Sequence, residues 1–484
     1  MRMRLEQRTS HVAPAGWQLL PMRFHRLDAD SILVTSLVGE HLFVTEAQLL
    51  SVVDGTCADQ DLLARLRAKH LIQLPGERLP AELLAIKIRT RLRRLPDSTG
   101  LHIFVVTLRC EHTCRYCQVS RQSSAKSEFD MSEATAQRAL RLAFRSPSPH
   151  LKIEFQGGEP LLNFAMVRWI VREARRMNAE HGKNLAFVIA TNLALLDDDI
   201  LRFCAEEDIY FSTSIDGPSD LHNGNRRRPG QDSWQRTVVG IRAVQEALGP
   251  DRVSALMTTT EASLDRPEEI IDTYADLGLR HVFLRPISPY GFALRRRAGA
   301  GYDVARWLEF YEAGLDHVID LNRRGLPMVE NYAAIVAKKM FTNDDPGYVD
   351  LTSPAGIGLG ALVYNYDGDV YASDEGRMLA EMNDHTFRLG NVVDSSYADI
   401  MLSDKLLDPL EESFTLSVPM CSTCAFEPYC GADPVFHHAT MNDAVGHKAL
   451  SAFCQRNMGV FEAILRRARD DAFARDLLWR WGQR

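Results

Sequence analysis

The chain has 484 residues, 45% hydrophobic and 25% charged, with a formal net charge of −8. No apolar run approaches the roughly 20 residues that span a bilayer, and the acidic balance gives no global reason to expect nucleic acid. The charged start, Met1-Arg2-Met3-Arg4-Leu5-Glu6-Gln7-Arg8, has no apolar h-region. Nine cysteines in a large chain without a secretion signal predict a reducing cytoplasm, where clustered cysteines favour metal over disulfides.

Length predicts about three domains. Residues 22–75 read as one unit, with strands at 24–27, 31–35 and 40–44 around a turn at Asp28-Ala29-Asp30. Thr45-Glu46-Ala47-Gln48 is a capping box opening a short helix that ends near Asp54-Gly55, and 59–69 is a second, amphipathic helix. Residues 76–97, a basic helix among prolines, read as a connector. Strands are then predicted at 102–107, 151–156, 185–190, 209–215, 252–258 and 281–286, alternating with helices at 131–145, 163–180, 197–207, 233–248 and 266–277. That alternation predicts a parallel sheet with right-handed crossovers. Six units are fewer than the eight of a closed barrel, so an open, partial barrel is expected, its lateral mouth suited to a large substrate such as a peptide. A helix at 303–322 follows, and beyond about 350 the chain reads as an irregular, cysteine-bearing third domain. The basic runs 87–94, 226–228 and 295–297 read as solvated faces, and the isolated Cys57 and Cys204 as structural thiols.

Cys110, Cys114 and Cys117 follow the first of these strands with C-x3-C-x2-C spacing. Three thiolates can hold three irons of a [4Fe–4S] cluster and leave the fourth open; C-x2-C spacing also suits zinc. The loop past the C-terminal end of a buried strand is where α/β barrels carry active sites. The run resembles the signature of the radical SAM superfamily. The resemblance implies a partial (β/α)6 barrel, an open-iron [4Fe–4S] cluster and S-adenosylmethionine (SAM), reductively cleaved to methionine and a 5′-deoxyadenosyl radical.

Polar groups recur at later strand ends. Gly157-Gly158-Glu159-Pro160 ends the second strand, and the resemblance implies that it receives the amino group of SAM. Thr191-Asn192 ends the third; the family has Thr-Asn-Gly there, and this chain has Leu193 for the glycine. Ser214-Ile215-Asp216-Gly217-Pro218 ends the fourth and resembles the family's Ser-(Leu/Ile)-Asp-Gly-Pro, with His222 and Arg226 at the expected spacing. Arg226 would suit the SAM carboxylate, Tyr116 would touch the adenine, and Leu284-Arg285-Pro286 would close the adenosyl pocket.

Cys421, Cys424, Cys430 and Cys454 form a second group, for which zinc is the main alternative. The segment resembles the SPASM domain of peptide-modifying radical SAM enzymes. Ser373 and Pro434 stand where that pattern has cysteines, and a third expected cysteine is missing from Ser353-Pro354-Ala355-Gly356. The missing ones belong to the inner auxiliary cluster, so a single auxiliary [4Fe–4S] cluster on the four retained cysteines is expected. Asp374 stands where sulfatase-maturating relatives carry a catalytic base. Residues 1–75 resemble a winged-helix-like leader-peptide recognition module, which binds by adding the peptide as a strand.

The expected domains are thus 1–75 (recognition), 76–97 (connector), 98–335 (radical SAM core) and 336–484 (SPASM-like). The combination resembles most the His-Xaa-Ser system radical SAM maturases. That implies a cytoplasmic oxidoreductase cross-linking side chains of a ribosomally made precursor peptide. Its partners would be the leader-bearing peptide, a reductant such as flavodoxin or ferredoxin, and a second radical SAM maturase, with no nucleic acid and no membrane. The alternatives are a formylglycine-forming sulfatase-type maturase and a non-catalytic iron–sulfur or zinc peptide-binding protein.

Overall fold

The computed structural model describes residues 16–291 and 302–483; the charged start 1–8 and the basic run 295–297 lie outside the described residues. Met22–Arg26, Ile32–Ser36 and His41–Val44 form an antiparallel sheet in sequence order. Thr45 and Gln48 close the capping box of the helix Glu46–Val53, and Asp59 caps Gln60–Ala68. The sheet's Ile32, Val34, Leu42 and Val44 and the helices' Val52, Leu62 and Leu66 share a core separate from the main one.

The main sheet runs in the order Val253–Leu256, Ile209–Ser214, Asn184–Ala190, His150–Gly157, Leu101–Thr107, Ala361–Tyr364, Asp369–Tyr371 and Arg388–Asn391. The first six are mutually parallel, and the last two turn back antiparallel. The helices between the strands bury one apolar stripe each. On Phe164–His181 that stripe is Val167, Ile170, Val171 and Ala174, spaced i, i+3, i+4, i+7.

Two features differ from the expected barrel. The sixth strand forms only over His281–Val282 and pairs with Val329–Glu330 outside the main sheet. The backbone beyond it is captured by side chains: Leu284 N donates to the buried Glu330 carboxylate at 3.2 Å and Ile287 N to the Tyr302 hydroxyl at 2.8 Å. A ladder cannot continue through donors already engaged. Also, the chain beyond 350 is not simply irregular, because Ala361–Tyr364 joins the sheet beside Leu101–Thr107, its first strand in chain order, in register Ala361 to Leu101.

The segment bearing Cys421, Cys424 and Cys430 is fastened on several sides. Arg23 Nη1 reaches Glu427 at 2.8 Å, both side chains buried. Tyr429 OH donates to Gly39 O at 2.6 Å, and Arg91 to Pro428 O and Lys339 O at 2.6 and 2.7 Å. The basic run 87–94 is therefore in part a clasp rather than a solvated face. Among the described residues no helix is long and apolar enough to cross a membrane.

Candidate functional site

Beyond Leu101–Thr107 the short strand Arg109–Cys110 pairs in parallel with Gln122–Ser123, closing residues 111–121 into the loop that carries Cys114 and Cys117. Arg109 pins its base with a bidentate pair to Asp130 at 2.8 and 2.7 Å. The end of the second strand lies on this neck. Gly158 N donates to Thr107 O at 2.9 Å and Glu159 N to Arg109 O at 2.7 Å. A Cβ at Gly158 would fall 2.5 Å from Leu108 O and 2.7 Å from Arg109 C, and one at Gly157 would collide with Thr107 O. The glycine pair read as a ligand-approach motif is thus required by the approach of the cysteine neck itself.

Cys110 is buried and Cys114 and Cys117 half-buried. Burial, with the charges of Glu111 and Glu159, raises the Cys110 thiol well above its ordinary value; burial pushes Cys114 up to about 12. A bound cationic cluster would relieve that cost by stabilising the thiolates, so the donor set fits an iron–sulfur cluster. Cys110, Glu111 and His112 also form a compact donor group, their ligand atoms within 4.8 Å of one another. The last two are already engaged: Glu111 Oε1 meets His112 Nδ1 at 2.9 Å and accepts from Asn192 Nδ2 at 2.9 Å. His112 Nε2 lies 2.8 Å from Ser233 Oγ, which lies 3.0 Å from His222 Nε2. This chain of buried groups ties the cysteine loop to the fourth strand end, where Asp216 N donates to His222 Nδ1 at 3.3 Å. Burial lowers His222 to about 3, so it is neutral.

Glu159, 1% exposed, knits three strand ends together. Its oxygens accept from Leu161 N at 3.0 Å, Thr191 Oγ1 at 2.6 Å and Asn192 N at 2.9 Å. Burial and the Glu111 charge raise it to about 8. Pro160 opens the buried turn Pro160–Asn163. Leu193, at the family's glycine position, has φ +60° and is 2% exposed. A Cβ at Gly240 would fall 2.6 Å from the Leu193 Cβ. Leu193 holds the turn a glycine would make and fills the space Gly240 leaves.

Asp216 is fully buried and gathers the other expected SAM contacts. It accepts from Tyr116 OH at 2.9 and 2.7 Å, Arg226 Nε at 3.2 Å, Asn225 Nδ2 at 3.2 Å and Thr258 N at 3.3 Å. The Arg226 guanidinium stands 5.2 Å from the Tyr116 ring centroid. Tyr116, Asp216 and Arg226 thus form one unit against the cysteine loop, and Ser214 ends its strand beside Leu256.

The four C-terminal thiols also converge, close enough for their charges to act on one another. Burial raises Cys421 to about 11 and Cys430 to about 12. Asn457 Nδ2 donates to Cys430 Sγ at 3.8 Å. Four thiols suit an iron–sulfur or zinc centre.

Asp374 begins the helix Asp374–Ala380 and accepts from the buried Arg377 Nε at 2.9 Å. The next residue, Glu375, faces a cavity with Arg285, Tyr290, Trp307, Asp350 and Asp433. The cavity's Tyr290 is followed by Gly291, whose Cβ would fall 2.9 Å from Cys117 O, so the segment that walls the cavity also packs on the cysteine loop. The sequence reading missed this group and the His112–Ser233–His222 chain; only the Leu284-Arg285-Pro286 motif pointed toward the cavity.

Residues 104–261 match the family model of the radical SAM superfamily. An uncharacterised protein of Methanothermobacter thermautotrophicus is 30% identical over 39% of this chain and 69% of its own length. The cysteine-type anaerobic sulfatase-maturating enzyme of Clostridium perfringens is 28% identical over 24% of this chain and 33% of its own, so the chain spans about a third of that relative. Among solved structures, native anSMEcpe with bound AdoMet covers 78% of this chain and 100% of its own at TM-score 0.63 and 18% identity. Streptococcus suis SuiB bound to the precursor peptide SuiA covers 90% and 98% at TM-score 0.53 and 14% identity. At those identities the likeness is one of fold. The superfamily implies a [4Fe–4S] cluster and SAM, which the three-thiol loop fits. With its cysteine loop at the end of the first strand of a parallel-rich sheet, the chain belongs to the radical SAM superfamily.

Proposed function

We propose that this protein modifies a ribosomally synthesised precursor peptide by oxidative side-chain cross-linking, in the manner of the His-Xaa-Ser system maturases. The observation that carries the reading is a polar-lined cavity whose wall residue Tyr290 is followed by Gly291, packed on the backbone of Cys117 and Gln118 in the three-thiol loop. SuiB, of similar fold, binds a precursor peptide.

Cys110, Cys114 and Cys117 would hold the open-iron cluster and Cys421, Cys424, Cys430 and Cys454 the single auxiliary one. When bound, the cluster and SAM supply a 5′-deoxyadenosyl radical that abstracts a substrate hydrogen, leaving an electron for an iron–sulfur acceptor and a proton for a base. The protein's own part is to fix geometry and exclude water. Gly157 and Gly158 seat the neck, and Asp216 orients Tyr116 and Arg226. Among the described residues the Arg226 Nη nitrogens carry no hydrogen bond, which leaves them for the SAM carboxylate. Among the described residues Met22–Arg26 is an edge strand, paired on one side, with Phe24 64% exposed; it is the edge at which a leader would add as a strand.

Anaerobically reconstituted full-length protein, given SAM and a flavodoxin or dithionite reductant, should form 5′-deoxyadenosine, and Cys114→Ala should form none. It should hold about eight irons, four per cluster. The short peptide encoded beside the gene, co-expressed, should lose two hydrogens with two residues joined in tandem mass spectra. An iron-loaded wild type without 5′-deoxyadenosine overturns the reading. An aldehyde at a serine or cysteine would assign the sulfatase-maturase chemistry instead.

A further inference from the structure

The cavity beside the cysteine loop is built from distant parts of the chain. Arg285 and Tyr290 come from the segment after the truncated sixth strand, Trp307 from the helix Val304–Arg323, and Asp350, Glu375 and Asp433 from the C-terminal third. Phe283, Tyr332, Tyr348, Phe436 and Phe453 wall it, and Arg456 lies over Phe436 and Phe453 at 5.7 and 5.6 Å from their centroids.

Two observations indicate a ligand. Tyr290 OH and Trp307 Nε1 are buried without a hydrogen-bond partner among the described residues, in side chains only 2% exposed. Orphaned buried donors are rare and costly, and here two face one cavity. The charges do not balance either, since three carboxylates meet two guanidiniums. Arg285 Nη2 stands 3.9 Å from Glu375 Oε1, beyond hydrogen-bond reach, and Arg456 is stacked on rings. Burial together with the charge of Asp350 raises Glu375 to about 8 and Asp433 to about 7, as expected of carboxylates short of cations.

We propose that this chamber receives a basic side chain, lysine or arginine, of the peptide substrate, with Glu375 and Asp350 as its partners and the Trp307 indole N–H donating to the backbone carbonyl of the bound residue. The assignment rests on the peptide-modifying reading above. A cation corrects the charge, the aromatic walls favour it, and a peptide carbonyl is the acceptor that an indole N–H requires. The segment Tyr290-Gly291 runs from the cavity wall to the backbone of Cys117, so a residue held in the chamber would lie on the cysteine-loop side of the fold and the chamber would select which residue is modified or anchor its neighbour.

The test is saturation-transfer NMR on the anaerobic, cluster-loaded full chain with saturating SAM, using Nα-acetyl-lysinamide, Nα-acetyl-norleucinamide, which keeps the four-carbon stem and lacks the ammonium, and Nα-acetyl-glutamate amide. The lysine probe should bind at least about tenfold tighter than norleucine, a difference of about 1.4 kcal/mol. Glu375→Gln should abolish the preference; Glu375→Asp, which keeps the charge on a shorter arm, should retain part of it. Trp307→Phe should weaken all three probes alike. Equal binding of lysine and norleucine, a preference for glutamate, or lysine binding seen in a SAM-free sample and lost at saturating SAM overturns the assignment. 5′-Deoxyadenosine measured on the same preparation separates the two claims. Its formation without a lysine preference refutes the chamber and leaves the enzyme reading intact. A lysine preference in iron-loaded protein that forms none refutes the enzyme reading, and with it the assignment of the ligand as substrate.

Discussion

Replacing Gly158 by alanine tests whether the glycine pair serves the cysteine neck. The new Cβ would sit 2.5 Å from Leu108 O and 2.7 Å from Arg109 C, where non-bonded carbon contacts need about 3.5 Å. Both obstacles are backbone and neither can rotate away, so the neck must retreat by roughly 1 Å. That retreat strains the bonds from Gly158 N to Thr107 O and Glu159 N to Arg109 O, worth about 1 kcal/mol each. With the added distortion, a loss of about 2–4 kcal/mol is expected. Cys110 is one residue beyond Arg109, and misplacing a reacting group by 1 Å costs on the order of 100-fold in rate. Gly158→Ala should therefore stay folded, bind less iron at the first cluster, and form 5′-deoxyadenosine roughly 100-fold more slowly. Gly182→Ala is the control: its φ is +63° and no atom lies within 4 Å of its built Cβ. It should lose about 1 kcal/mol from backbone strain with iron and turnover unchanged. If Gly158→Ala loads iron and turns over as the wild type does, the neck argument is wrong.

Three further outcomes are expected. Leu193→Gly relieves about 1 kcal/mol of left-handed strain but empties a buried site worth about 2–5 kcal/mol. Gly240→Ala overpacks the same site by about 1–3 kcal/mol; in chemical denaturation the double variant should recover at least about 1 kcal/mol of the summed losses, and strict additivity would refute the contact. His102 is fully buried, its Nε2 3.1 Å from Thr99 O and its Nδ1 3.0 Å from Tyr364 OH, and burial lowers it to about 4 from 6.5. Below pH 6.5 the unfolded chain takes up a proton that the folded chain refuses. Stability complete above pH 6.5 is thus lost as pH falls toward 4, by up to about 3 kcal/mol. His102→Gln should flatten the difference between urea midpoints at neutral and mildly acid pH, and an unchanged slope would count against it. Arg23→Met strands the buried Glu427 carboxylate at a cost on the order of 3–5 kcal/mol. It should open the N-terminal sheet to limited proteolysis, whereas Glu427→Gln in the same background should restore part of the protection.

What could be read from the sequence was local. The core strands were placed to within a residue or two (151–156 expected, His150–Gly157 found), because the alternation of Leu151, Ile153 and Phe155 with polar residues declares a strand with one buried face. The cysteine spacings are likewise local, readable within 110–117 and 421–430 alone. What could not be read was set by distant partners. The sixth strand stops because Glu330, 46 residues away, takes the Leu284 amide, and no pattern within 281–286 records that. His112 meets Ser233 across 121 positions. Leu193 looked like a lapse from the family's glycine, and it becomes intelligible only beside Gly240. The cavity carboxylates at 350, 375 and 433 carry no shared motif, and Asp374 drew attention from its neighbour because its position matched a relative's.

The C-terminal thiol segment has a consequence for how the parts act together. Lys339 is buried, and its ammonium donates to Leu351 O and, at 3.0 Å, to Cys430 O, with Asp345 3.2 Å away. The same segment carries Glu427, held by Arg23 of the edge strand, and Tyr429, held by Gly39 O. A Cβ at Gly431 would collide with the Leu351–Thr352 backbone, 2.6 Å from the Leu351 Cα, and Leu351 directly follows the cavity's Asp350. One short stretch thus touches the N-terminal sheet, the four-thiol site and the chamber wall. Burial raises the Cys421 and Cys430 thiols to about 11 and about 12, so a cluster there would exchange their protons for iron and tie residues 421–454 together with four bonds. Losing that cluster should loosen the N-terminal sheet and the Asp350 wall together while leaving the first three cysteines on their own neck. On the proposal that these four thiols hold a cluster, the cluster should couple the edge strand and the chamber, whether or not it also accepts an electron.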